Sequence, residues 1–468
     1  MTDVRDFGAT GDGSTDDTEA IQHSVDEAGG SVQFPCGTYL ISKPIRINLP
    51  DCGRTSIYGS GGTAKVLMTG PGPAFHFNAT HAKTADPAGF RPEEWKNERM
   101  PMLRDIEIEG RHAKADGVRI TGVMQPTLTG VLIREVRTAI HVGSRARNLL
   151  ISHCHVYHNT GVGVHLESVN LHQAIITGSH ISYCALGGIR IEDSEVRNLQ
   201  ITGNDIEYNN ARSHKTADDA APTGEIYIDV RSGSVREGTI CSNTIQATYS
   251  PAGANIRFIG QGEEANQKVG MWTITGNLIG SQAYNMHLTS ARGVTITGNH
   301  MYSAHKRNVL IEDSRNVVLS GNCFGHNPDY KDKEICTGLE IRKSRDCVIS
   351  AMQIEDGLAG ENTVAGAPPV DRNALVQITD SRRINITGVQ LTNASPCGFQ
   401  LTRCSDTVIA NCTVLEERDQ PRLKQSVRWI GQGTGNMLSQ CRLATEPDLA
   451  PESTVESKGH VISRRSTG

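Results

Sequence analysis

Aromatic residues make up only 4% of the chain, which excludes a core packed mainly from rings. No stretch approaches the roughly 18 consecutive apolar residues of a membrane-spanning helix, so no membrane partner is expected. Neither charge sign dominates: 46 basic against 51 acidic residues give a formal net of −5, which argues against a nucleic-acid partner held by a basic surface. The 12 cysteines contain no C-x-x-C pair, so zinc and redox motifs lack support and small buried thiols are expected. The opening MTDVRDFGATGDG has no basic start and no apolar segment. No signal peptide is therefore expected, and the expected location is cytoplasmic unless the chain starts after a cleavage site.

What is abundant is glycine, at 48 residues, and a short recurring phrase. An aliphatic residue, two small polar residues and often Asn recur as ISHC (151–154), ITGS (176–179), ITGN (201–204), ICSN (240–243), ITGN (274–277), ITGN (296–299) and LSGN (319–322). Weaker copies are ISAM (349–352), ITGV (386–389) and IANC (409–412). Most steps between copies are 22 to 25 residues, and longer steps mark inserted loops. Leucine-rich repeats need a Leu signature with a helical segment per turn, which is absent. Each period holds two or three short alternating strands instead, which predicts a parallel β-helix with rungs about 4.8 Å apart. Asn204, Asn243, Asn277, Asn299 and Asn322 then stack as a hydrogen-bonded ladder that tolerates a left-handed turn, with Cys154, Ser179 and Cys412 as fillers.

The segment GDGSTDDTEAIQHSVDEAGG reads as a loop, an Asp/Thr cap, an amphipathic helix near 17–28 and a Gly-Gly stop. Such a cap covers the exposed core and edge of a solenoid. The expected organisation is one all-β domain over 1–445, a right-handed parallel β-helix with an N-terminal capping helix. Residues 1–50 form the cap and first strands, and 446–468 an irregular polar tail. The whole opening, VRDFGATGDGSTDDTEAIQHSVDEAGGSVQFPCGTYLI, resembles that of the pectate-lyase-like superfamily, and the repeats extend the likeness to about residue 440. Polygalacturonases, phage tailspike depolymerases and alginate epimerases share this opening. The resemblance implies a carbohydrate-active enzyme on a polysaccharide or oligosaccharide, and a homotrimer is the assembly that recurs in such families.

In each coil one strand follows a Gly-rich turn, with apolar residues inward and the others outward. Aligning GVRIT (117–121) through GFQLT (398–402) yields two outward columns. One reads Arg119, His141, His165, Arg190, Tyr227, Arg257, His287, Leu310, Glu340, Gln377, Gln400. The other reads Thr121, Gly143, Glu167, Glu192, Asp229, Ile259, Thr289, Glu312, Arg342, Thr379, Thr402, and rungs 141 to 287 concentrate His, Arg, Tyr and carboxylates. Insertions at 80–102 and 208–224 are candidates to wall this patch.

Three readings follow. Leading is glycoside hydrolysis by two carboxyl groups. Glu192, crowded by like charge, would hold a proton as general acid, with Glu167 or Asp229 ionised beside it. His165 and His287 would bind hydroxyls, and Trp95, in a polar insertion, would be a sugar platform or a loop anchor. The second reading is a lyase or epimerase on a uronate glycan, in which a base removes the proton α to a neutralised carboxylate. Arg190, Arg257, His165 and Tyr227 suit those roles. No metal is expected unless the reaction is elimination, where calcium would bridge the carboxylates. Neither the DPHE string of alginate epimerases nor the paired-Asp strings of polygalacturonases is present. The third reading is a non-catalytic glycan-binding or structural β-helix.

Overall fold

The computed structural model describes residues 2–83, 86–209, 222–247, 249–262, 268–327, 337–357 and 372–463. The expected helix is there: Thr18–Glu27 buries Ile21, Ser24 and Val25 against the Val4–Phe7 turn and the Ile45–Asn48 strand. Asp16, rather than Asp17, satisfies its first turn, accepting from Thr18 N at 3.0 Å. Asp17 instead ties down the preceding loop through Thr10 N (2.7 Å) and Gly11 N (3.0 Å).

The described residues cluster into two compact units, so the chain expected as one domain over 1–445 is described unit by unit. The first comprises Met1–Asp218 and Thr223–Thr244, the second Asp219–Pro222 and Ile245–Gly468. Both are built from parallel strands paired rung to rung. In the first, Gly72–Asn78, Ala115–Met124, Ile140–Ser152, Val162–Thr177, Gly187–Glu192 and Thr223–Asp229 follow one another across a sheet. Their inward column is Phe75, Val118, Ile140, Val164, Ile189 and Ile226, all buried. Each such side chain contributes about 1.5–3 kcal/mol by leaving water. A separate sheet in the same unit joins Ile106–Gly110, Leu132–Arg134, His155–Tyr157, His180–Ser182 and Asp205–Glu207. In the second unit the inward column is Ile256, Met286, Val309, Leu339, Val376, Phe399 and Val427.

The Asn ladder forms inside each unit. Asn204 N donates to Asn243 Oδ1 at 2.9 Å, and in the second unit Asn277 N and Asn299 N donate to Asn299 Oδ1 and Asn322 Oδ1 at 3.0 Å. The left-handed position is not the Asn itself. It is the preceding residue: Gly203, Ser242, Gly276, Gly298 and Gly321 have φ of 56 to 65°. Glycine or a small residue is favoured there because a Cβ is strained at positive φ. The C-terminal stretch expected to be irregular carries short strands at Asp448–Leu449, Ser453–Lys458 and Val461–Ile462. Among the described residues no helix is long and apolar enough to cross a membrane.

Candidate active site

In the first unit the outward columns have the register that alternation predicts. Arg119 pairs His141, His141 pairs His165, His165 pairs Arg190, and Arg190 pairs Tyr227. Gly143, Glu167, Glu192 and Asp229 follow in the same order. The sequence reading missed the start of the first column, where Arg46 and His76 stand on the rungs before Arg119. The strings IRIN (45–48) and FHFN (75–78) carry the same alternation and could have revealed them.

A cleft of about 330 Å³ opens on this face, lined by Asp116, Arg119, Arg137, His141, His165 and Glu167. Arg137 is committed to Asp116, with Nη2 at 2.7 Å from the carboxylate. Arg119 is exposed and has no ion-pair partner among the described residues. His141 Nε2 lies 3.1 Å from Glu167. Burial holds His141 below the usual imidazole range, although Glu167 pulls the other way. His76 is lowered further, to about 4, by burial and then by the charges of Arg119 and Arg46. Gly143 faces Glu167 in the stack, and a Cβ there would come within 3.1 Å of His141 Cε1. The absent side chain keeps the space beside His141 open.

Glu192 does not behave as a carboxylic acid waiting to give a proton. Burial raises its pKa, but hydrogen bonds from His165 and Arg190 and the Arg190 charge bring it to about 2. His165 Nε2 lies at 2.9 Å, Arg190 at 3.0 and 3.1 Å, and Arg231 Nη2 at 2.8 Å. The like-charge crowding expected around Glu192 is thus outweighed by its basic partners, Arg231 among them. Asp229 is half-buried, with Arg231 at 3.5 Å, and does not line the cleft. Tyr227 is buried under the Arg190 guanidinium, which lies 4.2 Å from its ring centre. Glu167 and His165 therefore line the cleft, while Arg190 and Arg231, backed by Tyr227 and Asp229, form a buttress around Glu192.

Trp95 lies on the Glu94–Glu98 turn, 46% exposed, with Arg99 4.8 Å from its ring centre. It does not line the cleft. Its loop is pinned to the strand that carries His141, by Arg145 Nη1 on Lys83 O (2.9 Å) and Arg147 over Phe90 (4.2 Å). Most of the other insertion, at 210–221, lies outside the described residues. Arg257 and His287 belong to the second unit. There Arg257 donates to His287 Nδ1 at 2.8 Å, and His287 Nε2 meets Glu312 at 2.6 Å. A guanidinium only donates, so Nδ1 accepts and the ring proton points to Glu312. Glu312 continues to Arg342 and Glu340, an ion-pair chain that the sequence reading left outside the site.

Comparison with known proteins agrees with the fold. A family model described as right handed beta helix region matches residues 102–223 and 224–414, and one described as rhamnogalacturonase A/epimerase, pectate lyase-like matches residues 1–97. The chain belongs to the pectate-lyase-like right-handed β-helix proteins. Curated relatives match over a short segment only. Alginate lyase 7 of Azotobacter vinelandii is 56% identical over 43 residues, 8% of this chain and 5% of that protein. Mannuronan C5-epimerase AlgE3 of the same organism is 54% identical over 43 residues, 8% of this chain and 2% of that protein. The chain thus spans a small fraction of the curated relatives it matches. Among solved structures, the pre-mature bacteriophage phi29 gene product 12 has a TM-score of 0.58 at 14% identity, covering 96% of this chain and 56% of that one, a likeness of fold.

Proposed function

We propose that the first unit carries the active site of an enzyme acting on a uronate-containing glycan, by removing the proton α to the uronate carboxyl. The observation that carries this reading is Arg119, an unpaired guanidinium in a cleft lined by imidazoles. Abstraction of such a proton needs a cation on the carboxylate and a base beside it. Arg119 supplies the first. His76 on one neighbouring rung and His141 on the other supply candidate bases. The resulting carbanion either expels the glycosidic oxygen, a lyase outcome, or regains a proton on the opposite face, an epimerase outcome. The short matches to an alginate lyase and to C5-epimerases support the same substrate class.

Two-carboxylate hydrolysis is less well supported, because hydrogen bonds from His165 and Arg190 and the Arg190 charge hold Glu192 well below the usual carboxylate range, which ill suits it to give a proton. The test is an assay of wild type and Arg119→Ala on uronate and neutral glycans. Unsaturated uronate ends or inverted uronates from wild type, reduced about 10²–10³-fold in the variant, are expected. Cleavage of neutral glycans that is indifferent to Arg119 would overturn the reading.

A further inference from the structure

We propose that His141, His165 and Glu167 bind one divalent transition-metal ion, zinc or a close chemical equivalent, in the cleft beside Arg119. One ligand atom from each of the three lies within 4.8 Å of the other two. His141 Nε2 and Glu167 Oε2 already stand 3.1 Å apart, the spacing of adjacent ligands around an ion with bonds of roughly 2.0–2.2 Å. The arrangement follows from the coil. His141 and His165 are register partners on adjacent strands, and Glu167 projects from the same face as His165, two residues on.

The surroundings fit a metal centre. Metal-binding imidazoles commonly give their second ring N–H to a carboxylate. His165 meets Glu192 through Nε2 at 2.9 Å, and Arg190 and Arg231 fix that carboxylate in place. Nδ1 of His165 is then the nitrogen left for the ion. Two imidazoles favour a borderline ion over calcium or magnesium, which take oxygen ligands. Three protein ligands leave an open coordination position, as catalytic sites do. Glu167 is exposed, so that position faces solvent.

A plain ion ladder accounts for this cluster less well. A ladder would pair each imidazole with one carboxylate, as His141 with Glu167 and His165 with Glu192, but it gives no reason for Arg119 to stand beside His141 without an ion-pair partner among the described residues. The role of the ion rests on the functional reading above; its existence does not. Arg119 is the register partner of His141, so ion and guanidinium would share one uronate carboxylate. His76, on the far side of Arg119 with Nε2 3.2 Å from Thr121 Oγ1, would remain the imidazole outside the metal site that could take the proton.

The experiment strips the full chain with a chelator and titrates it with Co²⁺ alone, followed by visible ligand-field absorption and calorimetry. One equivalent is expected to bind and to be displaced by Zn²⁺. His141→Asn and Glu167→Gln are expected to lose stoichiometric binding, and Glu192→Gln to weaken it about 10–100-fold. If His141→Asn does not fold, Glu167→Gln, altered at an exposed side chain, carries the test. Failure of folded wild type to bind Co²⁺, or binding that survives in Glu167→Gln, overturns the site. Co²⁺ binding in a protein inert on every uronate glycan would sustain the site and overturn the functional reading. Uronate chemistry without Co²⁺ binding would do the reverse.

Discussion

Glu192 and Arg119 share one face in opposite surroundings, the first held by three basic groups and the second without an ion-pair partner among the described residues. Glu192 receives His165, Arg190 and Arg231 at once. Glu192→Gln keeps the shape but removes the charge those groups share, so a loss of about 1–3 kcal/mol in urea unfolding is expected. Arg119→Ala removes an exposed, unpaired side chain, so its thermal midpoint should stay near wild type while uronate turnover falls. The positions of both residues were legible in the sequence, because alternation along a strand and a constant coil period fix which residues face outward together. Their electrostatic state was not. Arg231 sits beyond the strand in a left-handed turn (φ 45°), where alternation assigns no face, and it is Arg231 that completes the neutralisation of Glu192.

At the scale of the strand, the aliphatic column and the Asn ladder carry the coil. Ile189 packs between Val164 and Ile226 and is fully buried. Ile189→Ala should cost about 2–5 kcal/mol, measured as a fall in the urea midpoint at unchanged slope. Asn299 Oδ1 accepts from Asn277 N and its Nδ2 donates to Ile274 O, so Asn299→Ala leaves a buried N–H and a buried C=O without these partners. A loss of about 1–3 kcal/mol is expected, with Asn299→Ser costing less because Ser179 fills the same place in the first unit by accepting from Cys154 N. The ladder could be read from spacing alone. Which residue takes the left-handed turn could not, since Asn and the Gly before it both tolerate that conformation.

Across the whole chain, acid sensitivity follows from carboxylates held below their ordinary values. In the second unit Asp346 is lowered from 3.8 to about 2, chiefly by Arg383. Glu416 falls from 4.5 to about 2, where Arg418 and backbone N–H groups overcome burial. Glu192 does the same in the first unit. Folded values below unfolded ones mean that their stabilisation is present above pH of about 4.5 and is lost as pH falls toward 2. Asp356 opposes them: burial raises it from 3.8 to about 6 despite Arg372. Its contribution is present below pH of about 4 and is lost as pH rises through 6. Urea midpoints across pH should therefore fall steeply below pH of about 4, since Glu109, Asp193, Glu312 and Asp380 are lowered as well, while among the described residues Glu225 joins Asp356 on the raised side.

The fold leaves function to the side chains on one face, because the same coil supports different chemistries. The central claim is that this face removes the proton α to a uronate carboxyl. The direct measurement is incubation of wild type with uronate glycans in deuterated water, reading deuterium at that carbon and unsaturated ends together. The account predicts one or both signals, lost in Arg119→Ala. New reducing ends with neither deuterium nor unsaturation would contradict it and restore the hydrolytic reading.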